Sequence, residues 1–445
     1  MSEILYWGID LGTTYSALTC FNSKKHTVTR CTELIPSFVD LNTNEVGAKV
    51  KAAVYNNSVS DSSEVFAGFK VDMFTGSAGR VPRIASTKVL ECLTREHQGI
   101  NAVITVPAYF NDAQRRATRE STAKAGISVK ALINEPTSAA VAYKHYHPGE
   151  EGMFIVYDLG GGTFDITIVD YCGDTIDVIA TDGLKIGGND LNKAIRSYLY
   201  KKAGIPLHTV SEQLGNHYLE LAEEAKISIQ KTKRDYIFRF VDRVAALSPE
   251  EYMRIVQDVF GITIVKLKGL LARYELQPDE YSILLVGGST RDPYLQKLLS
   301  QVKKPLPVDY DPDFLVAEGS SIYSYMLDNE LLRENLSDVT KALSVQLDKN
   351  SLRKLIPPNS SLPAVESWLF TNIEDAQTVR IRLHQTNSSL PTEDSYIGTL
   401  EYRYSEPMKA FEGYIFVTLS VDKDGILKAT AREPLGRLER LQLYV

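Results

Sequence analysis

Two stretches far apart in the chain carry nearly the same pattern. Gly8-Ile9-Asp10-Leu11-Gly12-Thr13-Thr14-Tyr15-Ser16 lies near the start, and Tyr157-Asp158-Leu159-Gly160-Gly161-Gly162-Thr163-Phe164-Asp165 lies well downstream. Each reads as an apolar strand, an Asp, a Leu, glycine and threonine, and then a second strand. The downstream copy is flanked by Phe154-Ile155-Val156 and Ile166-Thr167-Ile168-Val169. Apolar runs around a Gly-rich turn specify a β-hairpin. Two such hairpins in one chain predict two related lobes.

The intervening sequence suits an α/β architecture. Ala102 to Pro107 and Ser282 to Val286 read as buried strands. Asp112 to Lys124 reads as a helix with Asp112 as its N-cap, and a second helix runs from about Val210 to Lys231. From about residue 338 the period becomes two. Val379, Ile381 and Leu383 alternate with Arg380, Arg382 and His384. Ile415, Val417, Leu419 and Val421 alternate up to a turn at Asp422-Lys423-Asp424-Gly425, and Leu441, Leu443 and Val445 give a last strand. This region is expected to be an all-β sandwich. The organisation read from the sequence is 1–329, a polar connector at 330–338, and a β region at 339–445.

Composition narrows the function classes. The 445 residues suffice for about three domain-sized units. With 44% hydrophobic and 24% charged residues the chain is not disordered, and a net charge of −7 argues against a nucleic-acid-binding face. Cys20, Cys31, Cys92 and Cys172 contain no Cys-x-x-Cys pair, so neither a zinc site nor a disulfide framework is expected. No apolar run approaches the ~18 residues of a membrane span. The amino terminus enters a strand without a basic, apolar leader, so a reducing, cytoplasmic setting is expected.

The chemistry centres on the glycine turns. Without a Cβ, backbone N–H groups approach phosphate oxygens closely. Two facing hairpins can clamp a polyphosphate. Asp10 and Asp158, each ending a strand, can hold magnesium through waters. Thr13, Thr14 and Thr163 can donate hydroxyls, and Gly287-Gly288-Ser289 gives a nucleoside room to pass. Other charged groups have plainer readings. Glu220, Glu223, Glu224 and Lys226 suit a solvated helix face, and His145 and His147 suit a loop between the lobes.

These blocks resemble the three signatures of the heat-shock protein 70 chaperone family: Ile9 to Ser16, Val156 to Asp165, and Leu285 to Arg291. Val106-Pro107-Ala108-Tyr109-Phe110-Asn111-Asp112-Ala113-Gln114-Arg115-Arg116 and Ile133 to Thr137 match two more family blocks. The β region matches at Asp338 to Thr340, at Leu355-Ile356, at Asn359 to Pro363 and at Asp424 to Leu427. The resemblance implies a two-lobed, actin-like and ribonuclease H-like ATPase followed by a β-sandwich that holds extended polypeptide.

It implies ATP or ADP with magnesium as cofactors, and it assigns roles by position. Lys70, Glu135, Asp165 and Thr163 are the catalytic set, and Asp10 and Asp158 lie on the magnesium side. Gly12, Thr13, Thr14, Tyr15, Gly160, Gly161, Gly162, Glu223, Lys226, Gly287, Gly288, Ser289 and Arg291 contact the nucleotide. Pro107 and Arg115 couple the domains, and Phe370, Val379 and Ile381 line the peptide pocket. Without its neighbouring motifs Lys70 would read as a surface lysine, and the three pocket residues as sandwich core.

Several departures from the family pattern bear on function. No helical lid follows Val445. Arg333 to Asp338 replaces a leucine-rich linker. Each buried leucine is worth ~1.5–3 kcal/mol and an allosteric coupling typically ~1–3 kcal/mol, so two or three lost leucines weigh on the coupling. Ala131 replaces an arginine that helps dock J-domain co-chaperones, which argues against a J-domain partner. Asp292 and Gln230 replace an aliphatic residue and a serine near the adenine. Ile373 stands where a small residue is common. The spans from Lys70 to Val106 and after Lys231 are shorter than usual, trimming surfaces that a nucleotide exchange factor grips.

The expected function is a monomeric, lidless ATPase that turns over slowly and holds apolar segments of unfolded polypeptide. The alternative is an ATP-bound scaffold or ribosome-associated partner that never hydrolyses. The lobed architecture alone also admits a filament former or a small-molecule kinase.

Overall fold

A computed structural model of the chain describes residues 4–55, 64–73, 79–172, 175–206, 210–241, 243–331, 341–358 and 360–433. Each hairpin becomes the middle of a sheet. Leu5–Asp10 pairs antiparallel with Tyr15–Asn22, with Asp10 opposite Ala17. Thr27–Arg30 extends the sheet antiparallel on one side, and Asn101–Val106 and then Ser128–Asn134 extend it in parallel on the other.

The downstream copy repeats this build. Gly152–Leu159 pairs antiparallel with Phe164–Cys172, which pairs with Thr175–Leu184, while Tyr281–Val286 runs parallel to Gly152–Leu159. Asp10 and Asp158 therefore share one location. Each lies at the carboxyl end of a strand between an antiparallel and a parallel neighbour, the edge where α/β sheets collect ligands.

Both faces of these sheets are covered, so their strands are near-continuous apolar runs. One core cluster fills the first lobe around Ile9, Leu18, Val89 and Ile104. Another fills the second around Ile155, Tyr157, Val256 and Leu285. A third joins the two sheets through Tyr6, Val103, Ile133, Val156 and Leu284. At its centre the helices Glu135–Tyr146 and Leu315–Asp328 cross. A Cβ on Gly319 would lie 1.7 Å from the Ser138 carbonyl oxygen, and one on Gly8 2.2 Å from Ser320 Oγ. Only glycine lets the backbones meet this closely. Ser138 Oγ also donates to the Val316 carbonyl at 2.7 Å.

Local signals set the helix ends. The helix Asp112–Lys124 covers the stretch read from the sequence, but its N-cap is Asn111, not Asp112. The Asn111 side chain accepts from Gln114 N–H, and the Gln114 side chain accepts from Asn111 N–H. This reciprocal box satisfies two otherwise orphaned donors, so it wins over Asp112. The second helix runs Glu212–Thr232, capped by Ser211. His145 belongs to the helix Glu135–Tyr146 and His147 caps it, so this segment is a helix end, not a loop.

From residue 341 on, the regular elements among the described residues are strands, apart from one short 3-10 turn at Glu393–Ser395. Ser351–Ile356, Leu343–Asp348, Ala376–Gln385 and Tyr396–Met408 form one antiparallel sheet. Ala364–Thr371, Tyr414–Val421 and Leu427–Arg432 form another. Val345, Leu383 and Leu400 of the first share one core cluster with Val417, Leu419 and Ala429 of the second. The alternation along Ala376–Gln385 breaks at its end. A register shift between Leu383 and His384 turns His384 inward, where it is 1% exposed and its Nδ1 lies 2.8 Å from Ser395 Oγ. The connector from residue 332 onward, Asn359, and the strand expected at Leu441 to Val445 lie outside the described residues.

The turn Asp422 to Gly425 is not a free surface turn. Asp424 is 3% exposed and docks on the first lobe. Its Oδ1 accepts from the Leu132 N–H at 3.0 Å, its Oδ2 pairs with Arg119, and its carbonyl accepts from Arg115 Nη1 at 3.3 Å. Asp112 Oδ1 accepts from the Leu427 N–H, Arg116 donates to the Leu427 carbonyl, and Gln385 Oε1 accepts from the Asp112 N–H. The β region thus grips the helix Asp112–Lys124 and the end of the strand leading to Glu135.

Candidate nucleotide-binding cleft

The two glycine loops face each other across a cleft lined by Asp10, Gly12, Thr13, Thr14, Tyr15, Glu135, Asp158, Gly160, Gly161, Thr163, Gly287 and Gly288. Each loop is braced from behind. Ser37 Oγ donates to the Gly12 carbonyl at 2.8 Å, and the Gly12 N–H is held by Ser16 Oγ. The Gly160 carbonyl accepts from Ser289 Oγ at 2.8 Å and from the Gly188 N–H, and the Gly161 carbonyl from the Asn189 N–H at 2.7 Å. The third turn sits beside Asp158 because Val286 pairs with Asp158. In the first lobe the corresponding parallel strand, Asn101–Val106, leads instead into Pro107 and Tyr109.

Lys70 is no surface lysine. It is 1% exposed and its Nζ forms an ion pair with Glu135 Oε1. Asp158, Thr163 and Asp165 are buried beside this pair, and Asp10 Oδ1 accepts a hydrogen bond from Thr105 Oγ1 at 2.7 Å. Four carboxylates, Asp10, Glu135, Asp158 and Asp165, thus share the field of one ammonium. Burial raises all four, Asp158 and Asp165 well above the ordinary carboxylate value. For Asp158 the charges of Glu135, Asp165 and Asp10 add to the rise, while Lys70 lowers it. Asp165 Oδ1 has no hydrogen-bond partner among the described residues, nor has the buried hydroxyl of Tyr109. Sequence reasoning gave Tyr109 and Thr105 no role.

The helix Glu212–Thr232 does not present a plain solvated face. Glu223 lies 3.7 Å from Lys51 of the helix Ala48–Tyr55, so an ion pair joins the two helices, and Lys51 Nζ also donates to Tyr15 OH at 3.0 Å. Lys226 is partly enclosed between Glu223 and Asp292, and burial lowers its pKa. The two departures at Gln230 and Asp292 belong to one network. Gln230 Nε2 donates to Tyr252 OH at 2.9 Å, and Tyr252 OH donates to Asp292 Oδ2 at 2.5 Å. Asp292 also caps the helix Pro293–Leu299. Arg291 is paired with Asp311 and Asp313 instead of projecting freely into the cleft.

Pro107 is buried, and Arg115 is 4% exposed beneath the docked β turn, its Nη2 on Asn134 Oδ1 at 2.6 Å. Burial pushes its guanidinium down to about 10. Ala131 is 3% exposed and packs in the core between the lobes, so its identity carries no argument against a J-domain partner. In the β region Ile381 is 8% exposed and is a core residue. Phe370 and Val379 are half-buried at the margin of that core, and Ile373 is 72% exposed.

A family model described as Hsp70 protein matches residues 93–440. A chaperone protein HscA homolog of Herminiimonas arsenicoxydans is 31% identical over 473 residues, covering 96% of this chain and 76% of that protein. One from Aliivibrio fischeri strain MJ11 is 32% identical over 367 residues, covering 79% of this chain and 59% of its own length. One from Haemophilus influenzae strain PittGG is 29% identical over 479 residues, covering 97% and 76% respectively. Among the described residues no helix is long and apolar enough to cross a membrane.

Proposed function

The chain belongs to the Hsp70 family, and from that premise we propose that it is an ATP-dependent chaperone whose cleft hydrolyses ATP slowly and whose two-sheet β region, read as a sandwich, holds extended polypeptide. The observation that carries the proposal is the buried Lys70–Glu135 pair set among Asp10, Asp158 and Asp165 between two glycine loops. A buried ion pair is costly to maintain for structure alone, and here its Glu135 lines a cleft.

The residues present suit a magnesium nucleotide. Four carboxylates against one ammonium leave an excess of negative charge that a divalent cation relieves, and the unpartnered Asp165 Oδ1 is an acceptor in want of a donor. Among the described residues no three carboxylates converge into a direct metal cage, so Asp10 and Asp158 would hold the ion through its waters. Bound there, the ion supplies positive charge against the phosphate oxygens.

The chain's own groups do the rest. Backbone N–H groups at Thr13 and Thr14 and at Gly161 to Thr163 orient the phosphates. Glu135 and Asp165 orient the attacking water by accepting its hydrogens. The Lys70 ammonium offsets negative charge that grows on the transferred group. The domain limits 1–329, 330–338 and 339–445 and the peptide-facing role of Phe370 and Val379 are part of this reading. An exchange factor and a J-domain protein are partners compatible with it.

The test has two readouts. Single-turnover hydrolysis is measured for the native chain and Lys70→Ala. Anisotropy of a fluorescent, extended apolar peptide is measured with magnesium-ADP and then magnesium-ATP. Native turnover that Lys70→Ala abolishes, with faster peptide exchange in ATP, supports the proposal. ATP that binds and is never hydrolysed replaces it with the scaffold reading.

A further inference from the structure

Outside the cleft, one pair of reactive side chains has no part in the chemistry above. Cys20 lies in the strand Tyr15–Asn22 and is 4% exposed, while Cys31, just past Thr27–Arg30, is half-buried. Both thiols are free, and their sulfurs are 3.4 Å apart. Strand pairing sets this approach. Cys20 is opposite Thr29, and the Cys31 N–H bonds the Leu18 carbonyl at 2.9 Å, so the two cysteines are diagonal neighbours on one sheet face. The Cys31 S–H directed at Cys20 lowers the Cys20 thiol pKa, which favours the nucleophilic thiolate.

The segment after this pair leads to the cleft. Arg30 Nε bonds Glu318 at 2.9 Å, its Nη1 bonds Asp311 at 3.0 Å, and its guanidinium lies 4.1 Å from the Phe314 ring centroid. Asp311 is also bound by Arg291. Thr32 Oγ1 accepts from the Leu18 N–H at 3.1 Å, and Leu34 lines the cleft beside Asp313. Cys31 is thus the midpoint of a short strap from the edge of the first sheet to the nucleotide loops.

We infer that Cys20 and Cys31 form a redox modification site, oxidised by a hydroperoxide to an intramolecular disulfide that stiffens this strap and slows nucleotide release. The Cys20 sulfur, the thiolate that the Cys31 S–H favours, attacks the peroxide O–O bond, giving a sulfenic acid and releasing an alcohol or water. The Cys31 sulfur then attacks the Cys20 sulfur, the S–S bond forms, and the hydroxyl leaves as water with the Cys31 proton. Two thiols lose two electrons in all, and one peroxide is reduced. The effect on release rests on the nucleotide-binding reading, but formation of the disulfide does not.

In the test, the full chain is reduced, desalted and titrated with hydrogen peroxide. Non-reducing peptide mass spectrometry maps its sulfur bonds, and stopped-flow fluorescence follows release of a fluorescent ADP analogue. The expected result is a Cys20–Cys31 cross-link with release several-fold slower, reversed by a thiol reductant. Cys31→Ser, at the more exposed sulfur, should abolish both effects, and a Cys92→Ser/Cys172→Ser chain should keep both. Sulfenic or sulfinic products without a cross-link, a cross-link through Cys92 or Cys172, or a cross-link that leaves release unchanged overturns the inference. If the reduced chain fails to bind the analogue, the nucleotide reading and the release effect fall together, while the peptide map still decides the disulfide.

Discussion

Lys70 and Glu135 neutralise each other inside the protein, 1% and 8% exposed, although 65 residues separate them in the chain. Lys70 follows a glycine in the left-handed conformation, Gly68 at φ 65°, and Glu135 opens the helix Glu135–Tyr146 directly after a parallel strand. Removing one partner leaves the other buried without a counter-charge, at a cost of about 3–5 kcal/mol. Lys70→Ala should therefore lose turnover by ~100-fold or more and also unfold at lower urea. Lys70→Met combined with Glu135→Gln should regain much of the stability and none of the turnover. Urea melts and single-turnover rates on the same samples check both halves.

Asp158 predicts a pH dependence. Burial first, and then neighbouring carboxylates, raise its pKa well above the usual range. A group that holds its proton more tightly in the fold than in the unfolded chain costs stability once pH exceeds its unfolded value, and the cost is relieved as pH falls back through that interval. Asp158→Asn should thus stabilise the ligand-free chain at neutral pH by roughly 1 kcal/mol. The gain should vanish as pH approaches ~4, where the unfolded carboxyl protonates. Thermal melts in a chelator across this range decide the sign, and a variant less stable than the native chain at neutral pH would refute the argument.

Asp424 ties the β region to the first lobe through three groups at once, the Leu132 N–H, Arg119 and Arg115. Asp424→Ala strips the partner from a buried backbone donor and an ion pair, costing the docked arrangement about 2–4 kcal/mol. Small-angle scattering should show a larger radius of gyration for the variant, and peptide should no longer change the rate of ATP turnover. An unchanged scattering profile would mean that the docking does not depend on this turn.

The helix crossing gives a prediction with no electrostatics in it. A Cβ on Gly319 would overlap the Ser138 carbonyl. Gly319→Ala must force the helices Glu135–Tyr146 and Leu315–Asp328 apart, at a cost of more than about 3 kcal/mol. Gly261, with nothing near its absent Cβ and a place inside the helix Pro249–Arg273, is the control. Gly261→Ala should be neutral or slightly stabilising in the same denaturation assay.

The hairpins, the parallel strands and the carboxylates at their ends could be read from the sequence because each is a local signal: an apolar run, an Asp and a glycine turn. What escaped was long-range. Asp424 in a turn looks solvated until the first lobe covers it, and a charged helix face carrying Glu223 reads the same whether water or Lys51 lies opposite. His384 sits on the polar side of a strict alternation, and only the register shift beside it turns it inward. The cap at Asn111 was legible after all, since Gln114 stands three residues on, but Asp112 is an equally good capping residue type. Cys20 and Cys31 have no motif spacing, and they meet only because two strands pair.

At Gly319 main chain rests on main chain, and at Gly8 on main chain and the short Ser320 hydroxyl. Such a bearing cannot be compressed, and pulling it apart forfeits every contact at once, so the motion it leaves cheap is swivelling. Displacement in a swivel grows with distance from the axle. The 3.7 Å Lys51–Glu223 pair joins helices that do not take part in the crossing, so a swivel would displace it more than groups at the crossing. The phosphate loops spring from the strands packed against the axle and move least. On the proposed function, nucleotide entry and exit would be governed at this rim, while the geometry around Asp10 and Asp158 would stay nearly fixed at the hub.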